Sequence, residues 1–289
     1  MKIISLLVSF LFSSLAFSQT LQPWMSSELS NAWAAGYKGA GVNVIVVDDF
    51  KSRDYFSGEL SNATQRLRHG EWTLLEASLL APAATFQSKN FGSTNAKVYL
   101  VRGLNVINLS YGMYAPPSNL AMRWGAQESS IIGYAVNGQA LISKAAGNDS
   151  VVIGAVNSQG NIDYLNKSLR GAQSAIYVGA LDANGSIASP ARIASYSNRA
   201  GNDLVVQNQF LVVGVLGSQT SLYGTSFAAP IISGYAAILG SKFKTATPTQ
   251  ITNQLLNTAR QDTVFDYSPS IHGRGEASLT RALSPVSIR

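Results

Sequence analysis

The chain of 289 residues contains no cysteine. Disulfides, thiolate metal sites and a cysteine nucleophile are therefore excluded. Histidine is nearly absent as well, with only His69 and His272 present. A zinc site built mainly on imidazole is not expected, although a carboxylate-rich metal site stays open. Charged residues make up only 12% of the chain. The positive ones are scattered singly, without the clustered stripe by which nucleic-acid binders show themselves. No apolar run approaches the roughly 20 residues that cross a bilayer. Internal repeats, low-complexity stretches and Pro/Gly linkers are missing too. What is present is a hydrophobic share of 46%, ample for one packed core and far from the composition of a disordered chain.

The first residues read as an address. Lys2 supplies a positive start, residues 3–12 form a short apolar run, and Ala16-Phe17-Ser18 meets the small-x-small rule before Gln19. A signal peptide over residues 1–18 and a single domain over 19–289 are the expectation, with a retained anchor as the alternative. The chain is thus expected to be secreted or periplasmic. Losing the signal removes Lys2 alone and lowers the net charge from +6 to +5. That supports mild attraction to anionic surfaces, no nucleic-acid partner, and no membrane association once the signal is gone.

Beyond the signal, helical and extended patterns alternate. Residues 29–37 carry helix formers and end near glycines. Residues 42–47 are a mostly apolar β-branched run, as in a strand buried on both faces, and Asp48 and Asp49 stand at its end. Residues 71–80 favour helix, 106–112 a strand and turn, 121–135 helix, and 140–146 a strand closed by Gly147-Asn148. Residues 175–181 and 211–216 suggest two more strands. Gly224-Thr225-Ser226 leads into residues 227–239, so apolar that a helix there must be buried. The alternation implies an α/β fold, a three-layer domain with a mostly parallel central sheet flanked by helices.

In such sheets the binding crevice lies outside the carboxyl ends of the strands. Asp48, His69, Asn148 and Ser226 fall at strand ends or helix starts, and together they form an inventory for serine nucleophilic catalysis. A serine hydroxyl needs a base within reach to take its proton. Imidazole suits that task near neutrality, a buried carboxylate fixes its tautomer, and the developing oxyanion needs donors aimed at it. Each residue alone has an ordinary explanation. An aspartate ending a strand is often a turn residue, Gly147-Asn148 fits a tight turn, and Ser226 fits a helix N-cap.

The order Asp, His, Ser is that of subtilisin, against other orders in unrelated serine hydrolases. The chain resembles the subtilisin-like serine proteases, or subtilases. Ala32-Trp33-Ala34-Ala35-Gly36-Tyr37-Lys38-Gly39-Ala40-Gly41-Val42 looks like the segment leading into their aspartate strand, and Val47-Asp48 like its end. His69-Gly70 is similar to the start of their histidine motif. Val106-Ile107-Asn108-Leu109-Ser110-Tyr111-Gly112 resembles their substrate-binding strand, and Ala145-Ala146-Gly147-Asn148 their oxyanion segment. Gly224-Thr225-Ser226-Phe227-Ala228-Ala229-Pro230 resembles the nucleophile motif, and His272-Gly273-Arg274-Gly275-Glu276-Ala277 the closing glycine-rich segment. The resemblance covers residues 29–283. It implies a subtilisin-like fold with Ser226 as nucleophile, His69 as general acid/base, Asp48 as its orienting carboxylate, and Asn148 with the Ser226 N–H as oxyanion hole. It also implies that Ser110, Tyr111, Gly112, Ala145, Ala146 and Gly147 bind a peptide or protein substrate. Asp48 is preferred to Asp49 by spacing from Val42, and His69 to His272, which falls in the closing segment and is read as structural. Pro230 fits the first turn of a helix, where no backbone donor is needed.

Several residues depart from the family pattern. Asp49 and Phe50 follow the aspartate, and Glu71 and Trp72 follow His69-Gly70. Lys144 stands in the oxyanion strand, where an unpaired lysine is costly; it is expected to pair with Asp49 or Glu71. The 29 residues from Gln19 to Asp48 are too few for a folded inhibitory pro-domain, so a separate pro-peptide or inhibitor chain is one expectation and unaided folding the other. A monomer is expected. The chemistry requires no cofactor. The family often binds calcium, yet no metal ligand is assigned, since Asp163 and Asp182 read as solitary loop carboxylates. Small walls at Ala145 to Gly147 suggest a pocket for large apolar side chains. The leading expectation is an exported endopeptidase acting through an acyl-enzyme. The alternatives are a catalytically silent peptide binder and, less favoured without a Gly-x-Ser-x-Gly elbow, a serine esterase.

Overall fold

The computed structural model describes residues 20–92, 96–118 and 122–288. The expected signal peptide and its cut before Gln19 lie outside the described residues, as does Ala121 of the expected third helix.

Runs of β-branched and other apolar residues supply most of one central sheet, with strands β1 (Val42–Asp48), β2 (Thr85–Asn90), β3 (Leu104–Leu109), β4 (Leu141–Ala145), β5 (Ala175–Leu181) and β6 (Phe210–Gly214). Their order is β6-β5-β4-β3-β1-β2, and every neighbouring pair is parallel. The helices of six or more residues are α1 (Glu28–Ala34), α2 (His69–Leu80), α3 (Ala126–Val136), α4 (Tyr164–Leu169), α5 (Leu204–Gln209), α6 (Ala229–Lys242) and α7 (Pro248–Asn257). The two-residue side-chain period sends Val44 and Val46 to one face, packed with α2, α6 and α7, and Ile45 and Val47 to the other, packed with α3, α4 and α5. Burial on both faces explains why these strands are continuous apolar runs.

From β1 the chain passes through α2 to β2 on one side, then returns across β1 to β3 and proceeds to β6. The direction reverses between β1 and β3, which puts the topological switch point, and hence the crevice, at the carboxyl ends of those two strands. The sheet's two margins differ. Beside β6, Val212 exchanges backbone hydrogen bonds with Gly275 and Ala277 of the closing segment. At the other margin β2 carries the polar sequence Thr-Phe-Gln-Ser-Lys-Asn, with none of its residues fully buried.

The strand β2 was not evident in the sequence because its residues are those of a half-solvated edge. Helix α7 was also missed, although Thr247 and Gln250 form a capping box ahead of it, a readable start signal. Helix α2 begins at His69 rather than Glu71. Ser226 does not open the buried helix: it sits in a 3-10 turn (Thr225–Phe227), and α6 starts at Ala229 with Pro230 in its first turn.

Helix α6 runs through the core with Gly234 facing α2. A Cβ built on Gly234 would lie 2.7 Å from Leu80 Cβ. Alanine normally gains about 1 kcal/mol over glycine inside a helix, but here the overpacking costs about 1–3 kcal/mol. Gly234→Ala is therefore expected to lower the urea and thermal midpoints; a raised midpoint would contradict this packing.

Candidate active site

Asp48 ends β1 with 1% of its surface exposed. Its Oδ1 accepts from the Asp49 N–H and from His69 Nδ1, both at 2.6 Å, and its Oδ2 accepts from Thr73 Oγ1 at 3.1 Å. His69 is the first residue of α2 and Thr73 lies one turn on, so both face the same carboxylate. Asp49 serves the turn instead, accepting from the Lys51 and Ser52 N–H groups. Glu71 accepts from the Arg68 N–H and pairs with its guanidinium at 2.8 Å, which fixes the start of α2. Trp72 is fully buried and donates to the Phe56 carbonyl, anchoring the short hairpin between Asp48 and His69.

With Nδ1 donating to Asp48, the imidazole presents Nε2 as an acceptor. Its ring lies between Phe56, edge-on at 6.3 Å, and Phe227 at 5.8 Å. Burial alone lowers the imidazole pKa, but the hydrogen bond and charge of Asp48, with the charge of Asp49, outweigh it and raise the pKa above its ordinary value.

Phe227, whose ring meets the imidazole, follows Ser226 in one 3-10 turn. Gly224 turns the chain with φ of 118°, a backbone state open to glycine and rarely to other residues. Ser226 Oγ donates to the Ser110 carbonyl at 3.0 Å, while Ser110 Oγ donates to the Ser226 carbonyl at 2.8 Å. Behind this crossed pair, Asn108 Nδ2 donates to Ser110 Oγ and Ser233 Oγ donates to Asn108 Oδ1. Sequence reasoning did not single out Asn108, Ser233 or Thr73; only Thr73, four residues after His69, carried a readable signal. No hydrogen bond joins Ser226 Oγ to His69 among the described residues.

Asn148 follows β4. Its Oδ1 accepts from the Thr225 N–H at 2.8 Å and Thr225 Oγ1 at 3.0 Å, and Gly147 N donates to that same Oγ1. With its oxygen held, the amide leaves Nδ2 beside Gly224, where a Cβ would come within 3.0 Å of it.

A cavity of about 270 Å³ opens beside Ser226 and Asn148, walled on one side by Ser110, Tyr111 and Gly112 and on the other by Ala145 and Gly147. Ala146 takes no part: it is fully buried, and its carbonyl accepts from Asn166 and Asn198. Tyr111 stacks on Phe91 at 5.3 Å, and its hydroxyl reaches Glu128. The remaining wall is polar, with Tyr114, Asp149, Asn157 and Gln159, not the apolar lining anticipated from the small residues alone.

Lys144 pairs with neither Asp49 nor Glu71. It alternates with Ser143 on β4, and while Ser143 donates to the Ala229 carbonyl on the α6 side, Lys144 points to the opposite face. There its Nζ meets Asp163 Oδ2 at 3.1 Å and donates to the Ala145 carbonyl at 2.6 Å. Asp163 is thus no solvated loop carboxylate: it is buried, and its Oδ1 caps α4 by accepting from Leu165 N. Asp182 accepts from Arg192 N. No group of three or more His, Asp or Glu suited to a metal gathers among the described residues. His272 is buried in the closing segment, where Nδ1 accepts from Ser268 N and the ring stacks on Tyr267.

The model of the subtilase family matches residues 73–275, well over half of the chain; the match includes Asn148 and Ser226 and starts after Asp48 and His69. Subtilisin DY of Bacillus licheniformis is 29% identical over 257 residues, covering 78% of this chain and 86% of that protein. Two solved structures share the fold. The prenylagaramide maturation protease PagA has a TM-score of 0.57 at 20% identity, covering 88% of this chain and 96% of its own. MycP1 from the ESX-1 type VII secretion system has a TM-score of 0.56 at 20% identity, covering 89% and 83%. The chain belongs to the subtilase family and is a serine-type peptidase.

Proposed function

We propose that this protein is an exported endopeptidase that cuts peptide bonds through an acyl-enzyme, with Asp48, His69 and Ser226 as its triad. The observation that carries the reading is the 2.6 Å contact between His69 Nδ1 and the buried Asp48 carboxylate, made beside the Ser226 turn. A scissile carbonyl lies in the cavity mouth. Ser226 Oγ forms a bond to its carbon as the hydroxyl proton passes to His69 Nε2. The carbonyl electrons move onto oxygen, where Asn148 Nδ2 and the Ser226 N–H stabilise them. Collapse breaks the C–N bond, and the proton on His69 goes to the leaving amine. Water then attacks the acyl carbon, giving its proton to His69, and Ser226 regains a proton as the acid leaves. The reaction uses side chains and backbone alone, with no cofactor. The substrate's extended backbone pairs along residues 110–112.

A second reading, a silent peptide binder, is favoured by one observation, the Ser226 hydroxyl directed at Ser110 rather than at the imidazole. A fluorophosphonate probe separates the two. Labelling of the wild type but not of Ser226→Ala supports an armed nucleophile; an unlabelled wild type supports the binder. Asn148→Ala is expected to reduce kcat by about 10²–10³-fold with KM little changed, the loss measured for an oxyanion amide in subtilisin itself.

The proton acceptor must be neutral, so kcat/KM rises with pH through the His69 pKa. The acid limb is expected above the ordinary imidazole value of about 6.5. Asp49→Asn removes one of the charges that raise it and moves the limb to lower pH. Parallel pH–rate profiles check both statements.

Export is supported by the pattern of residues 1–18, and no described helix is long and apolar enough to cross a membrane. Edman sequencing of chain recovered outside the cytoplasm is expected to begin at Gln19; a chain that retains Lys2 contradicts cleavage.

A further inference from the structure

We propose that the cavity beside Ser226 binds a basic side chain, lysine or arginine, on the residue preceding the cleaved bond. The proposal deepens the endopeptidase reading and rests on it for the position of that residue.

Among the described residues, three formally charged side chains wall or underlie the cavity: Lys144, Asp163 and Asp149. Asp163 lies just beneath the wall, because a Cβ on Gly112 would come within 2.9 Å of its Oδ2. Lys144 and Asp163 cancel. Their pair is closed at 3.1 Å with side-chain exposures of 1% and 5%, and Met113 N and Leu165 N both donate to the other Asp163 oxygen. Lys144 Nζ is further engaged by the Ala145 carbonyl. The only cation in the wall among the described residues is therefore already matched and shielded from anything that enters.

Asp149 has no such partner. It accepts from Asn157 Nδ2 at 3.2 Å and from the Tyr114 hydroxyl at 3.4 Å. Both donors are neutral, both contacts are long, and no cationic side chain among the described residues forms an ion pair with it. Tyr114 stays a neutral phenol: burial raises its pKa, and the charges of Asp163 and Asp149 raise it further. The cavity thus holds one net negative charge in a half-buried setting, where Coulomb attraction exceeds that in bulk water. Gln159 and Asn157 add amide groups to the same wall. An aromatic or aliphatic side chain placed here would strip water from Asp149 without replacing it. A carboxylate would meet like charge. A flexible aliphatic stem ending in a cation can instead lie along Gly112, Ala145 and Gly147 and bring its head to Asp149.

Two measurements test this. The first uses acetyl-Ala-Ala-Ala-X anilides with X as lysine, glutamine or phenylalanine. The wild type is expected to favour lysine over glutamine by about ten- to a hundredfold in kcat/KM, the span of one hydrogen bond to a charged group, and Asp149→Asn is expected to bring that ratio close to one. The second uses Ser226→Ala and calorimetric binding of the acids acetyl-Ala-Ala-Ala-X, which needs no turnover. Lysine is expected to bind more tightly than glutamine or phenylalanine, and adding Asp149→Asn is expected to abolish the difference. Glutamine or phenylalanine equal to or better than lysine in binding overturns the proposal, as does a lysine preference that survives Asp149→Asn. If the wild type hydrolyses no anilide while Ser226→Ala still selects lysine, the peptidase reading fails and the cavity assignment stands.

Discussion

A carboxylate with almost no exposed surface, placed at the end of a central strand, must have its charge met on the spot. Asp48 meets that constraint with three donors drawn from three different places: the next peptide N–H, an imidazole and a threonine hydroxyl. The geometry of the whole crevice follows. Helix α2 has to begin where its first residue can reach β1, which explains the Arg68–Glu71 contact at its start and the buried Trp72 behind it. The residues that look foreign to the family around Asp48 and His69 are therefore structural supports. Asp49 closes the turn, Glu71 caps the helix and Trp72 pins the hairpin.

The nucleophile turn is tied to the sheet in a similar way. A buried polar chain runs from Ser233 on α6 through Asn108 on β3 to Ser110, and from there to the backbone of Ser226. Thr225 makes a second tie to Gly147 and Asn148. Strands β3 and β4 are thus both linked by hydrogen bonds to the turn that precedes α6. Fully satisfied buried networks of this kind rigidify what they connect. They set the relation between hydroxyl, amide and cavity before any ligand arrives.

Much of this was legible in the sequence, and the parts that were not have identifiable reasons. Residues 42–47 and 175–181 read as strands because burial on both faces demands uninterrupted apolar runs. Thr85–Asn90 did not, because an edge strand half in water keeps a polar sequence. Lys144 could be recognised as needing a partner, but one dimension does not say to which face a residue of β4 points. Its acid lies across that face on the N-cap of α4, not at the start of α2. Asn108 and Ser233 are separated by 125 residues; a pair so distant leaves no mark in local composition. The side chains of Asp48, His69, Asn148 and Ser226 were singled out by type and chain order; a hydrogen bond joins His69 to Asp48, and Asn148 and Ser226 line one cavity. The polar wall of the cavity was hidden because Asp149, Asn157 and Gln159 belong to an irregular loop with no periodicity to read.

The unequal margins of the sheet bear on how the molecule behaves in company. Bare strand backbone is a template on which another chain can grow. Here the β6 flank is sealed from within by the glycine-rich segment, so that segment acts as a permanent seventh rung. The opposite flank pairs with no further strand among the described residues and is short, hydrophilic and marked by Lys89. A neighbour attempting to zip onto it would have to dehydrate that lysine for little apolar return. The architecture thereby guards against runaway β-stacking at crowded concentrations without a disulfide to help.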